Sequence, residues 1–250
     1  TIRNNIIQDP GVRTVNRSWG AYGINGSKVT NLVVEQNYFK DILCDEATHG
    51  DSWNTTGAIW LWGDLYNIIV RDNKIENASS YGIGISYGVT DAIFEGNEIT
   101  GIGTPSSAQF PAAIMVRSTD SGASSGIEVL NNKIHANDGT EATAGIDIAG
   151  LANTEISDIT IEGNEITGNA IGIRVRGLVS DLDLVSNNKI VGNTIGIENT
   201  SNLVVDASLN WWGSADPAVI AENISGNVDF NPWWLNEEMT LRSDDAAVAA

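Results

Sequence analysis

Cysteine is nearly missing from these 250 residues: Cys44 stands alone, so no intramolecular disulfide staples the fold. A single thiol is by default a small buried apolar side chain. A thiol nucleophile needs an imidazole beside it, and His49 is the only local candidate. Proline is scarce as well, 5 residues against 26 glycines, and that balance points to many tight turns between short elements. Basic residues number 13 against 32 acidic ones, a formal net charge of −19. Such a surface repels nucleic acid and anionic membranes, which excludes both as partners. Charge of this sign serves solubility first. It suits an extracellular or high-salt setting, with the cell surface and the periplasm as the compartments that fit, and it attracts divalent cations.

No apolar run approaches the ~18 residues that a membrane-spanning helix requires. Amphipathic stretches at helical spacing are almost absent, which argues against a helical bundle. An initiator Met and a leader are lacking too. The chain opens at Thr1-Ile2-Arg3-Asn4-Asn5, inside the repeat described next. This reads as a piece of a longer protein, with an open N-terminal coil available to flanking domains or to copies of the chain itself.

What the sequence does contain is a recurring phrase, apolar-x-apolar-x-x-Asn-x-apolar. It stands at Leu32/Val34/Asn37/Phe39, Ile68/Val70/Asn73/Ile75, Ala92/Phe94/Asn97/Ile99, Ile127/Val129/Asn132/Ile134 and Ile159/Ile161/Asn164/Ile166. Partial copies stand at Ile2/Asn5/Ile7 and Asn210/Trp212. Near Leu182 the phrase carries one extra residue, so that Asn187 suits the strand before it and Asn188 the strand after it; a local bulge absorbs such an insertion. Between these phrases sits a second apolar one, usually led by Gly, as in Gly82-Ile83-x-Ile85 and Gly172-Ile173-x-Val175.

Alternation over three to five positions is a strand signal. Each repeat therefore predicts three short strands: before the Asn, just after it, and after the Gly. The repeat length varies from 22 to 36 residues, which suits a solenoid whose turns carry loops of different size. The predicted fold is all-β: a right-handed single-stranded parallel β-helix of about eight coils with three parallel sheets. Its hand follows from the near-universal right-handed crossover. The Asn column is structural in this reading, because Asn tolerates left-handed backbone and its amide can bond neighbouring backbone and the Asn one coil away.

Residues 2–234 resemble the right-handed parallel β-helix repeat proteins of the pectate-lyase-like superfamily. The closest likeness is to carbohydrate-binding and sugar-hydrolase type repeats, which also occur in NosD-like periplasmic proteins. The ending, Leu209-Asn210-Trp211-Trp212-Gly213 and then Asn227-Val228-Asp229-Phe230-Asn231-Pro232-Trp233-Trp234, resembles that of bacterial and archaeal surface β-helices. The resemblance implies the fold but not one activity, since this fold hosts lyases, epimerases, hydrolases, adhesins and spacers. Three catalytic signatures of the superfamily are missing: paired Asp with Gly-His-Gly, Asp-Pro-His, and the His-bearing calcium-strand motif. The domain reading is a β-helix over 1–235, closed by a Trp-rich cap from about 209, followed by a linker or tail at 236–250. A solenoid end exposes apolar core and strand edges, and Trp211, Trp212, Phe230, Trp233 and Trp234 supply the bulk to cover it.

Side chains alternate in and out along a strand. In the Gly-led sheet one outward column runs Asn25, Trp60, Gly84, Met115, Asp147, Arg174, Glu198, and the next Trp62, Ser86, Arg117, Ala149, Arg176, Thr200. Two tryptophans expected to be exposed and three of the eight arginines make this the candidate polysaccharide face: Trp60, Trp62, Arg117, Asp147, Arg174 and Arg176. Indoles stack on sugar rings, and guanidiniums pair with uronate or sulfate. Asp147, Arg174 and Glu198 equally read as a charge ladder across neighbouring strands. A second candidate is the turn from Lys40 to Asp51, where His49 could pair with an Asp in proton abstraction. There Asp45, Glu46 and Asp51 are the candidate Ca²⁺ ligands, although their spacing matches no ordered calcium loop. No other cofactor is expected. His135 reads as a surface residue. The function expected is a non-catalytic extracellular or surface module, structural, adhesive or assembly-forming and glycan-binding. The alternative is a lyase or epimerase acting on acidic polysaccharide.

Overall fold

The computed structural model describes residues 1–8, 21–43, 56–103, 110–119, 122–137, 142–151 and 154–246. Its strands fall into three large sheets of seven, seven and eight, and every pairing within them is parallel to the strand one coil away. The first sheet holds the strands before each Asn, from Ile2–Arg3 to Leu182–Ser186. The second holds those just after it, from Ile6–Gln8 to Lys189–Val191. The third holds the Gly-led strands, from Tyr22–Ser27 to Ile224–Gly226. The result is the parallel β-helix that the repeat predicts.

Each inward position becomes a column. Val34, Val70, Phe94, Val129, Ile161 and Val185 stack in register in the first sheet. Phe39, Ile75, Ile99, Ile134, Ile166 and Ile190 do so in the second. Ile59, Ile83, Ile114, Ile146, Ile173 and Ile197 do so in the third. All but Ile190 are fully buried, and each such side chain contributes roughly 1.5–3 kcal/mol of burial. The first-coil members Ile2, Ile7 and Ile24 are only half-buried.

The corner between the first and second sheets carries an asparagine ladder. From Asn5 through Asn37, Asn73, Asn97, Asn132, Asn164 and Asn188 to Asn210, each side-chain Nδ2 donates to the Oδ1 of the next Asn at 2.9–3.0 Å. Each backbone N–H donates to the same Oδ1 at 2.9–3.1 Å. From Asn37 onward, Nδ2 also donates to a carbonyl of the preceding coil, for example Asn164 to Val129. The left-handed backbone lies one residue earlier than expected. Asn4, Gln36, Asp72, Asn131, Asn187 and Leu209 have φ between 53 and 59°, as Gly96 and Gly163 do at 63 and 70°, and no ladder asparagine does. The ladder selects Asn for its amide, and the sharp turn is made by its neighbour. The extra residue falls within Leu182–Ser186, where the register shifts between Ile159 and Thr160, so that Asn188 keeps its place in the ladder.

At the far end Trp212 is buried in the main core, edge-on to Phe230, which is in turn edge-on to Trp233. The helix Pro217–Glu222, N-capped by Asp216, adds the fully buried Ile220. Beyond it the chain folds back: Leu235 donates to the Leu241 carbonyl, Trp234 bridges Arg242, and Glu237 pairs with Lys189 at 3.1 Å.

The connections that vary in length lie mostly between the second and third sheets. Ala78 to Tyr81, Thr167 to Ile171 and Val191 to Ile195 are tight. Ile42 to Gly57, Ile102 to Ala112 and His135 to Ala144 are long. The long connections lead directly into the strands that carry the candidate face.

Candidate functional site

The in-out alternation of the third sheet holds, but outward does not mean exposed. Trp60, expected to be exposed, is 4% exposed, and Asp147 and Arg174, expected on a solvated surface, are buried at 0% and 2%. An outer layer covers the middle coils. Tyr81, Ala112, Ala144 and Ile171 form a further outward column in register, and they pack with Trp60 and Met115 into a second apolar cluster. Trp60 lies flat on the sheet because Gly84 opposite it has no side chain: a Cβ there would sit 2.6 Å from the indole Cε3. Its ring stacks on Tyr81, with centroids 5.3 Å apart. Thus Trp60 and Trp62 are not an exposed pair. Trp62 alone is open, 39% exposed and edge-on to Tyr87.

The arginines also differ from the expected ladder. Asp147 accepts from Arg174 Nε at 2.9 Å, from Arg176 Nε at 3.0 Å and from Arg176 Nη2 at 2.8 Å. Arg174 faces Glu198 in register, yet among the described residues no ion pair within 4 Å joins them. Burial pushes the Asp147 carboxyl upward, but the two guanidiniums outweigh it and hold the group below its ordinary range. Burial raises the Tyr81 phenol, so it stays protonated. Arg174 Nη1 donates to the Ala142 carbonyl at 2.7 Å, and the Phe110 ring lies 4.8 Å from Arg174 Cζ and 3.8 Å from Arg176 Cζ. Arg117 stands over the Trp60 ring at 5.8 Å and reaches Ser86 Oγ at 3.3 Å, with no carboxylate within 4 Å among the described residues.

The other two sheets place acidic residues among their basic ones. The outer column Lys74, Glu98, Lys133, Glu165, Lys189 of the second sheet alternates in sign from strand to strand. On the first, Arg71 pairs with Glu35 at 2.7 Å, and Arg3 comes within 3.9 Å of it. The ladder expected of the third sheet keeps its Asp147–Arg174 rung and lacks the Arg174–Glu198 one. In the third-sheet column Trp62–Ser86–Arg117–Ala149–Arg176, Trp62 is exposed and both arginines are partly so, while Ser86 and Ala149 between them are buried. It joins an aromatic edge to cations with too few carboxylates to neutralise them.

The residues matched by a family model described as "Right handed beta helix region" are 1–195. The chain belongs to the right-handed β-helix family. No curated protein and no solved structure matches it. Family membership accounts for the coils of this β-helix and leaves the chemistry of its faces open.

Cys44, Asp45, Glu46, His49 and Asp51 lie outside the described residues, and among those described no group of three or more His, Cys, Asp or Glu side chains is placed to hold a metal ion. No helix among them is long and apolar enough to cross a membrane. His135 is half-buried on the second sheet, 3.8 Å from Glu98. Sequence reasoning missed Phe110, which stands two residues before its strand, and the second ladder of Asn137, Asn169 and Asn193 at the next corner. The signal for that ladder was an Asn five positions after Asn132, Asn164 and Asn188. In earlier coils the same position holds buried Ile42, Ala78 and Ile102.

Proposed function

We propose that this β-helix is a non-catalytic module that holds an acidic polysaccharide against the outer face of its third sheet, as an adhesive or structural element outside the cell or at its surface. The observation that carries this reading is the open column of Trp62, Arg117 and Arg176, a local surplus of cations on a chain of net charge −19. Indole edges and guanidiniums suit sugar rings and their carboxylate or sulfate groups. A second reading, a lyase or epimerase on acidic glycans, is favoured by one observation: Glu198, next to Arg174, lacks an ion-pair partner within 4 Å among the described residues. Titrating alginate, pectate and a sulfated glycan while following tryptophan fluorescence for binding, absorbance for lyase product and uronate composition for epimerisation separates the readings. Saturable binding without unsaturated product and with unchanged uronate composition is the expected result. Product absorbance or a changed uronate composition would replace the module with an enzyme, and no binding at millimolar glycan would remove the carbohydrate reading altogether.

A further inference from the structure

The buried cluster beneath Phe110 is incomplete. Arg174 has five N–H donors. Nε goes to Asp147 and Nη1 to the Ala142 carbonyl, while Nη2 is buried with no hydrogen-bond partner among the described residues. Two guanidiniums share one carboxylate, with side chains 2% and 13% exposed against 0% for Asp147. Among the described residues Asp147 is the one carboxylate ion-paired with these two guanidiniums, since Glu198, though in register with Arg174, is not within 4 Å of it, and an unsatisfied donor lies beside them. Buried charges persist where they are paired and hydrogen-bonded, and an orphaned donor on a charged group is among the most costly features a core can contain. Arg174 Nε and Nη1 each have an acceptor, so the nitrogen that lacks one among the described residues is Nη2, and an acceptor carrying negative charge would suit it.

We propose that Arg174 and Arg176 form a binding site for a single oxyanion group with two acceptor oxygens, a carboxylate or a sulfate, which takes Arg174 Nη2 and the open flank of Arg176. Asp147 is the orienting group. By accepting from Arg174 Nε and from both Nε and Nη2 of Arg176, it fixes the two guanidinium planes, and a preset fork loses less entropy on binding an anion than a free one. Phe110 is the gate. It is half-buried and, among the described residues, it is the ring lying against both guanidiniums, so an anion reaches Nη2 when that ring swings aside. This site is separate from the open Trp62–Arg117 strip, and its occupancy does not depend on a polysaccharide.

The test is calorimetric titration of the full chain with sodium acetate, sodium glucuronate and sodium sulfate, at constant ionic strength made up with chloride. The expected result is saturable binding of at least one oxyanion with a matching rise in the melting midpoint. Acetate and glucuronate binding alike identifies the carboxylate as the recognised group, and a preference for sulfate identifies the doubly charged one. Arg174→Lys keeps the charge but loses the fork, and should weaken binding at least tenfold. Phe110→Ala removes the gate and should bind several-fold more tightly than wild type. Trp62→Ala should bind as wild type does, so failure of the glycan titration together with success here overturns the polysaccharide reading alone. The proposal is overturned if none of the three anions binds in preference to chloride, or if Arg174→Lys binds as tightly as wild type. Should Arg174→Lys fail to fold, Phe110→Ala decides, because weaker binding in that variant contradicts the gate and the site behind it.

Discussion

Asn164 shows how much one residue type carries in this fold. Its Oδ1 accepts the backbone and side-chain N–H groups of Asn132, and its Nδ2 donates to Val129, Glu162 and Asn188. Asn164→Ala strands donors in a dry corner, and the expected cost is about 1–3 kcal/mol, read as a lower urea midpoint at unchanged slope. An unchanged midpoint would mean that the ladder is ornamental. Asp147 gives a second test at this scale. Its folded carboxyl lies below the ordinary range, because the adjacent guanidiniums overcome its burial. The stability it contributes is therefore complete above the unfolded value of about 4 and is lost as pH falls through the lower folded value. Asp147→Asn should remove that part of the acid dependence, and should cost about 3–5 kcal/mol at neutral pH by leaving two guanidiniums without their shared anion. Equal acid sensitivity in the variant and the wild type would contradict the pairing. The ladder position was legible in the sequence because its spacing repeats. For Asp147 one partner was legible and one was not: register places Arg174 beside it, while side-chain reach decides that Arg176 binds it too.

At the scale of elements, strands, sheets and the bulge near Leu182 follow from period-two alternation, and the structure repeats them closely. Alternation states which way a side chain points and nothing about what lies above it. Trp60, Met115 and Arg174 point outward and are nonetheless buried, because the middle coils of the third sheet carry an outer layer. The signal for that layer was in the same strands: Tyr22, Tyr81, Ala112, Ala144, Ile171 and Ile195 form an apolar outward column that no solvated face would need. The Trp-rich ending packs on the last coil through Trp212, Phe230 and Trp233, and we expect it to act as that coil's seal. Ending the chain at residue 208 removes that seal and uncovers Val185, Ile190 and Ile197. Such a fragment is expected to melt lower and to aggregate, whereas a monodisperse fragment of unchanged midpoint would show that the aromatics do something else.

On the whole-molecule scale the two ends are unlike. The sealed end buries its core columns, while Ile2, Ile7 and Ile24 are half-buried at the other and Ile6 is 75% exposed. The charge of −19 is likewise a property of the whole, and against it the open column of the third sheet is the exception that carries the functional account. The direct measurement is the dissociation constant of one acidic glycan for wild type and for the Trp62→Ala, Arg117→Ala double variant, with both melting curves recorded. Neither side chain belongs to the main core, so the account expects at least a hundredfold loss of affinity at an unchanged melting midpoint. Equal affinity in the two proteins would contradict it and move the binding face elsewhere on the solenoid.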